Sequence, residues 1–526
     1  MSSPEKDASQ VAVDQKSVGS VVEFKDPAQL EKRFSLWSTC ALQYSLICSP
    51  LALGTFLSTV IGVGGSPVLI YGFILSATMS LIICCSLAEL ASAYPHSSAQ
   101  VHWTYCLAPK AYKRVLSFAS GILSCAGWIF ACISSTYVAS MFILALAQIY
   151  HPDYVPKNWH YYLVYVAIIV AGYLINVFFV VILPYMIDVL VAIINFATLF
   201  VIITLLIKSD PKQSAKFVFK NIINETGWSS NGVVFFLGLL PSIASVCLFD
   251  GAAHMTDEIA EPERNIPLVM VISNSVSAVV ALFAAIVYMF CIVSMDNLSV
   301  PLGGQPIVQL MYDSFSSKTL TTIGVLCFIF TFVGSSFTYY TSTSRLIWSF
   351  SKSKGLPFGT YFGRVSQTLK TPVYALTFVT LICAILGTMI MGSSTALYAV
   401  LGSAMVCVNL SYVPPIMCLL TRSRFSMSPY VRFDNQDSSV AAVLKEGKSL
   451  PYFSLGKLGM PLNIISVLWI CFIMIWLNFP IYYPVSTASM NYACVVLGCT
   501  GIFGLAVWLF YSAKHFDHDV DSKHIL

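Results

Sequence analysis

Runs of about twenty apolar residues follow one another along the chain, parted by short polar segments. At 1.5 Å of rise per helical residue, each run is long enough to cross roughly 30 Å of hydrocarbon. The runs lie at 37–62, 67–90, 115–149, 160–180, 182–207, 232–255, 267–295, 319–350, 372–391, 395–420, 462–480 and 488–513. Only Pro184 separates the fourth from the fifth, so that boundary is the least defined. The pattern predicts an all-α integral membrane protein with about twelve transmembrane helices.

Two of the runs are interrupted. The sixth is almost uncharged over 233–249 and runs straight into Asp250-Gly251, with Asp257-Glu258 and Glu261-Pro262-Glu263-Arg264 soon after. An ionisable side chain inside a hydrophobic span is costly, which makes Asp250 a functional-site candidate. Gly251 lets the backbone leave helical geometry there. Taken alone, Asp-Gly would equally fit an extramembrane turn. In the first run, Pro50 withdraws a backbone donor, and the small polar residues Ser45 and Ser49 beside it can satisfy the groups set free. A simple proline kink would also account for Pro50. Breaks five spans apart, however, are what a five-plus-five inverted repeat with broken helices 1 and 6 predicts.

Composition agrees: 57% of the 526 residues are hydrophobic and 10% charged, against about 25% charged in soluble domains. The net charge of +4 is spread out with no basic stripe, so no nucleic-acid partner is expected. The 16 cysteines lie mostly inside apolar runs, as at Cys84-Cys85 and Cys471, where they act as small hydrophobes without zinc-ligand spacing. Residues 1–22 are polar and lack the apolar core of a signal peptide, so they read as a disordered tail. Lys6 and Lys16 there are candidate modification sites, with a regulatory ubiquitin ligase as candidate partner. The amphipathic stretch from Asp26 to Ser35 is expected along the membrane surface.

Lysine and arginine set the orientation. With the N-terminus inside, 22 of the 28 fall on the cytoplasmic side and 6 outside, the dissenting group being Lys208, Lys212, Lys216 and Lys220. Two glycosylation sequons, at Asn224 and Asn297, land outside, and a third, at Asn409, falls within a span. Both termini are therefore expected to be cytoplasmic.

Several motifs now stand in order along the chain. They are Ser86-Leu87-Ala88-Glu89-Leu90-Ala91-Ser92-Ala93-Tyr94-Pro95 at the inner end of span 2, and Phe249-Asp250-Gly251-Ala252-Ala253-His254-Met255-Thr256-Asp257-Glu258 in span 6. Ser344-Arg345-Leu346-Ile347-Trp348-Ser349-Phe350 with Gly355-Leu356-Pro357 closes span 8, and Phe453-Ser454-Leu455-Gly456-Lys457, Phe479-Pro480 and Asn491-Tyr492-Ala493 follow. Over roughly Phe34 to Phe516 this resembles the amino acid–polyamine–organocation superfamily, and within it the fungal amino acid/choline permease family that includes GABA and choline permeases. The chain departs from the family pattern at three places. His96-Ser97-Ser98-Ala99-Gln100 stands where a Gly-Gly is common, Cys48-Ser49-Pro50 has no glycine before Gly54, and Asp257 replaces a glutamate. The first two touch substrate and gate regions.

The resemblance implies a secondary active transporter rather than an enzyme. It would move a small amino acid or amine by proton symport, with no cofactor and the proton as coupling ion. The expected organisation is a cytoplasmic tail at 1–35, a ten-helix transport core at 36–420, a cytoplasmic loop at 421–461, two further helices at 462–513 and a tail at 514–526. The plasma membrane is the expected location, and a vacuolar or other endomembrane the alternative. Other readings stay open: a nutrient sensor on a transporter fold, or a permease for choline, a polyamine or a vitamin such as thiamine. No nucleotide-binding loop points to ATP. An embedded enzyme would want a cluster of histidines and acids, and the one local grouping is His254 with Asp257 and Glu258.

Physics and resemblance converge on the breaks. Half-helix N-termini suit a carboxylate, whereas C-terminal carbonyls and an acidic side chain suit an ammonium group or a proton. The substrate-binding candidates are Ser45, Ser49 and Pro50 at one break, Phe249, Asp250 and Gly251 at the other, and Ser335 and Tyr339 in span 8. Ser336, and Gly121, Gly127 and Trp128 in span 3, are weaker, since small residues at helix contacts are more often packing. Coupling and gating fall to Asp250, His254, Glu258 and Glu89. Asp250 is expected to pair with the substrate, a proton, or the hydroxyls of Ser45 and Ser49. His254 is read as orienting its neighbours rather than carrying a proton, and Glu258 as lying near the inner face within reach of water.

Overall fold

Eleven of the twelve apolar runs form long helices whose ends fall within a few residues of the hydropathy boundaries, and the sixth is broken. The computed structural model describes residues 30–422, 452–487 and 489–518. Lys6, Lys16 and most of the loop expected at 421–461 lie outside the described residues. Among those described, eleven helices are long and apolar enough to cross a membrane. Spans 1 to 5 are Leu36–Gly62, Gly65–Ala93, Lys113–Tyr150, Asn158–Phe178 and Leu183–Lys208. Spans 7 to 12 are Pro262–Phe290, Lys318–Lys352, Val373–Gly392, Thr395–Thr421, Gly456–Asn478 and Ala493–His515. Span 6 comes in two pieces, Asn231–Ser245 and the 3₁₀ turn Ala253–Glu258, with the chain unwound between them. Among the described residues no strand forms, and outside the two breaks the backbone of a span is paired within its own helix, as hydrocarbon requires.

The helices pack in pairs that map onto one another when spans 1–5 are exchanged with spans 6–10. Span 3 packs on span 8 and span 2 on span 7, each pair its own counterpart. Span 3 also packs on span 10, as span 8 does on span 5, and span 1 on span 7, as span 6 does on span 2. These pairings are the ones a five-plus-five repeat calls for. Spans 11 and 12 lie against spans 2, 3 and 10.

Both breaks rest on a non-glycine residue in the left-handed region: Cys48 in span 1, at φ 42°, and Leu248 in span 6, at φ 64°. Pro50 does not itself break span 1. It sits in the first turn of the short helix Ser49–Ala52, where its missing N–H costs nothing, and the helix then tightens to 3₁₀ over Leu53–Phe56.

The described part of the amphipathic segment, from Leu30 to Ser35, forms no helix, and a bridge pairs its Phe34 with Ile259. It is extended, with Leu30 and Phe34 buried, and the Arg33 and Phe34 N–H groups donate to the Glu258 carbonyl at 3.0 and 3.1 Å. The segment thus closes the free end of span 6. Asn224 and Asn297 are exposed on connections at one end of the bundle, whereas Asn409 is buried in span 10. All sixteen cysteines are free thiols.

Candidate functional site

Asp250 sits at the centre of the bundle with no exposed surface. Its carboxylate is fully engaged by protein. Oδ2 accepts from the Gln100 amide at 2.5 Å and from the Trp128 indole N–H at 3.2 Å, and Oδ1 accepts from the Tyr412 hydroxyl at 2.7 Å. His254 Nε2 lies 3.2 Å from Oδ2, one helical turn along. Ser45 and Ser49, expected as partners, do not reach it. Ser45 Oγ bonds the Leu42 carbonyl at 2.8 Å, and Ser49 pairs with Ser277 of span 7 through its hydroxyl at 2.9 Å and its N–H at 3.2 Å.

The proton count at His254 follows from its two neighbours. Nδ1 faces the Ser97 carbonyl at 3.1 Å, which only accepts, so Nδ1 carries a hydrogen. Nε2 then faces a carboxylate oxygen. Two lone pairs cannot share a hydrogen bond, so a hydrogen bond at this contact would need a further proton, on the imidazole or on the carboxylate. Trp128 packs edge-on against the His254 ring, with centroids 5.2 Å apart. His254 thus bridges the Ser97 carbonyl and the Asp250 carboxylate.

The backbone carbonyls freed by the two breaks are also taken. Ser335 donates to the Ser45 carbonyl at 2.9 Å, and Tyr339 to the Leu46 carbonyl at 2.8 Å. Gln43 stitches the breaks together: its amide donates to the Leu248 carbonyl at 3.0 Å, and its oxygen accepts from Ala252 N–H at 2.8 Å. Pro50 contributes its carbonyl, which accepts from Tyr288 at 3.0 Å. Phe249 is buried against Tyr412, with ring centroids 5.3 Å apart. A cavity beside the break, lined by Ser76, Ser80, Cys247, Phe249, Asn409 and Trp469 among others, has a volume of only ≈ 10 Å³, room for about one water. This is a closed conformation.

Gly251 is closed in as well: a Cβ there would lie 2.3 Å from Leu46 Cδ1 and 3.0 Å from Trp128 Cη2. Gly251→Ala is therefore expected to destabilise this conformation by about 1–3 kcal/mol, as overpacking does. A lowered midpoint of thermal unfolding in detergent would register it, and an unchanged midpoint would mean that the breaks part at no cost. Gly121 and Gly127 serve packing, against Phe350 and Val408, while Trp128 belongs to the site.

The closed end is built from the loop after span 2 and the end of span 8. Ser97 Oγ donates to the Asp257 carboxylate at 2.5 Å and accepts from Asp257 N–H at 3.2 Å. Glu258 is buried, not solvated. Arg345 Nε donates to its Oε1 at 2.7 Å, with both side chains at most 2% exposed. Glu89 stands apart from Asp250. Its carboxylate accepts from Leu455 N–H at 3.1 Å and Ser454 Oγ at 3.3 Å, anchoring the segment that leads into span 11.

Sequence reasoning did not single out Gln43, Gln100, Tyr412 or Arg345 for the site. Arg345 carried a usable signal, as an arginine inside an apolar run, and Gln100 stands in the loop that departs from the family pattern. Tyr412 carried none, because one tyrosine in a helix resembles any other until its face is known.

Residues 34–500 match the family described as amino acid permease. The chain belongs to that family. The permease is 29% identical over 497 residues to the choline transporter of Saccharomyces cerevisiae, covering 93% of this chain and 83% of the relative. It is 28% identical over 461 residues to a putative amino acid/polyamine transporter of Macrophomina phaseolina, covering 85% and 95%. It is also 28% identical over 527 residues to the 7-keto 8-aminopelargonic acid transporter of Saccharomyces cerevisiae, covering 90% and 91%. The permease is a multi-pass membrane transporter of small molecules, and these relatives are named as transporters rather than enzymes.

Proposed function

We propose that this permease is a proton symporter for a small amine or amino acid, in which the Asp250–His254 pair carries the coupling proton. The buried 3.2 Å contact of His254 Nε2 with the Asp250 carboxylate, which needs a shared hydrogen to be a hydrogen bond, supports this most. It sits at a break in span 6, where opening either end of the bundle would expose it to one side of the membrane. The substrate's ammonium group would bind the carbonyls of Ser45, Leu46 and Leu248, displacing the donors of Ser335, Tyr339 and Gln43 that now occupy them. The buried rings of Trp128, Tyr339, Phe249 and Tyr412 around the breaks suit a desolvated cation. Choline, amino acids and polyamines, and 7-keto 8-aminopelargonic acid, as named for the relatives, all bear nitrogen and define the panel to test. The excess of lysine and arginine on the side of the termini supports cytoplasmic termini, and the plasma membrane is the proposed location.

The test is uptake of that panel into proteoliposomes. One substrate is expected to accumulate when the outside is acid, with uptake falling as external pH rises from about 5 to about 7.5, because each pH unit of gradient contributes about 1.4 kcal/mol per proton. A protonophore should abolish accumulation. Uptake indifferent to pH and dependent on sodium would reject proton coupling.

A further inference from the structure

Away from the breaks, the described residues bring together one group of side chains with the geometry of metal ligands. His96 lies on the loop leaving span 2, His102 on the helix Gln100–Leu107, and His518 beyond the end of span 12. One ligand atom from each lies within 4.8 Å of the others. His102 Nδ1 and His518 Nε2 are 2.9 Å apart, one donating and the other accepting. His96 stacks on His102 with centroids 4.4 Å apart, and the His518 ring stands edge-on to both at 5.0 Å. A tetrahedral zinc ion about 2.0–2.1 Å from each nitrogen sets its donors roughly 3.3 Å apart. Because an ion lies in the plane of each imidazole it binds, His96 has to swing out of its stack on His102 to join such a site.

The surroundings are those of a built site. Ser353, at the end of span 8, bonds His518 Nδ1, leaving Nε2 turned to His102. The Ser98 N–H donates to His96 Nδ1 at 3.0 Å, with the Ser98 hydroxyl at 2.8 Å; for Nε2 to bind an ion, Nδ1 must take up the hydrogen and donate it to that hydroxyl instead. Outer partners of this kind fix ring orientation in metal sites. The three imidazoles are packed against one another largely out of solvent, and Lys352 lies close to His96 and His518. Neutral imidazole is the form that ligates metal. The positive charge of Lys352 opposes a cation; Asp517, next to His518 in the chain, carries a carboxylate that accepts from Tyr105 at 3.1 Å. Three neutral imidazoles select a zinc-like divalent ion over calcium or magnesium, which take oxygen ligands.

We propose that His96, His102 and His518 form a binding site for a divalent transition metal, zinc by its donor set, with a fourth position left for water. The ion would pin the chain beyond span 12 to the loop that carries Ser97 and Gln100. That loop reaches Asp257, His254 and Asp250, so metal occupancy would stiffen the closed end of the permease.

The full-length protein, purified with a tag free of histidine and dialysed against chelator, is titrated with Co²⁺ and then Zn²⁺. The parent and His160→Ala should each take up about one equivalent with the visible bands of a low-coordinate cobalt site, and zinc should displace the cobalt. His102→Ala, His518→Ala and truncation after Phe516 should each lose the bands, and zinc should raise the thermal midpoint of the parent but not of these variants. Size-exclusion profiles identify any variant that fails to fold, and the chain-end truncation keeps the test open if His102→Ala does. No cobalt uptake by the parent, or equal uptake by His518→Ala, overturns the proposal.

Discussion

Asp250→Asn is expected to yield a folded permease that no longer accumulates substrate. An asparagine at 250 keeps one acceptor for Tyr412 and turns an NH₂ toward groups that now donate. Two of these can adapt. Gln100 can turn its own oxygen inward, since Gln100 Oε1 is buried without a partner. A neutral His254, with Nδ1 still on Ser97, can accept at Nε2. Only the Trp128 N–H is left unpaired, at about 1–3 kcal/mol. The hydrogen shared between Asp250 and His254 is then gone, and with it the coupling. An inward gradient of two pH units provides about 2.7 kcal/mol per proton, or roughly 100-fold accumulation. The variant's ratio of inside to outside substrate should fall to about 1, while exchange of labelled for unlabelled substrate persists. Parent-like accumulation in proteoliposomes would remove Asp250 from the coupling step.

Helix positions were legible in the sequence because hydropathy is a local property, and a bilayer demands about twenty apolar residues in a row wherever the chain crosses. Even the unwound part of span 6 announced itself, through an aspartate and a glycine that lipid would not tolerate. What one dimension does not record is which faces meet. Gln100, Trp128, His254 and Tyr412 stand up to 312 positions apart and converge on one carboxylate. A carboxylate in a span demanded partners, but Ser45 and Ser49, near in the expected pattern, turn to their own helix and to span 7. The break in span 1, read over Cys48-Ser49-Pro50, did not single out its pivot for a similar reason. Proline is the visible disturbance, whereas the left-handed turn falls on Cys48, a residue with no backbone preference that would betray it. Glu258 looked solvated because it lies at a span end. The chain before span 1 covers it, and Arg345 reaches it from span 8.

That pair should decide how the closed end opens. Glu258 and Arg345 are buried together, and removing one partner from such a pair typically costs about 3–5 kcal/mol, because the other charge stays behind unpaired. Removing both costs far less. If the pair served only to hold the fold, Glu258→Gln and Arg345→Met would lower thermal stability, and transport by the surviving protein would be unchanged. If it latches the closed end, the cost falls on one conformation, and the equilibrium shifts toward the open one by about 100-fold or more. The Arg33 and Phe34 amides, bonded to the Glu258 carbonyl, report which is the case. In both single variants their hydrogen exchange should accelerate, ahead of amides in span 3. Substrate binding should stay nearly intact while turnover slows, since a latch that no longer closes delays the return step. The double variant Glu258→Gln/Arg345→Met should recover much of the protection, because no buried charge is left alone. A double variant as unprotected as the worse single one would mean that the two side chains act separately, and that Arg33 and Phe34 are held by the Glu258 backbone alone.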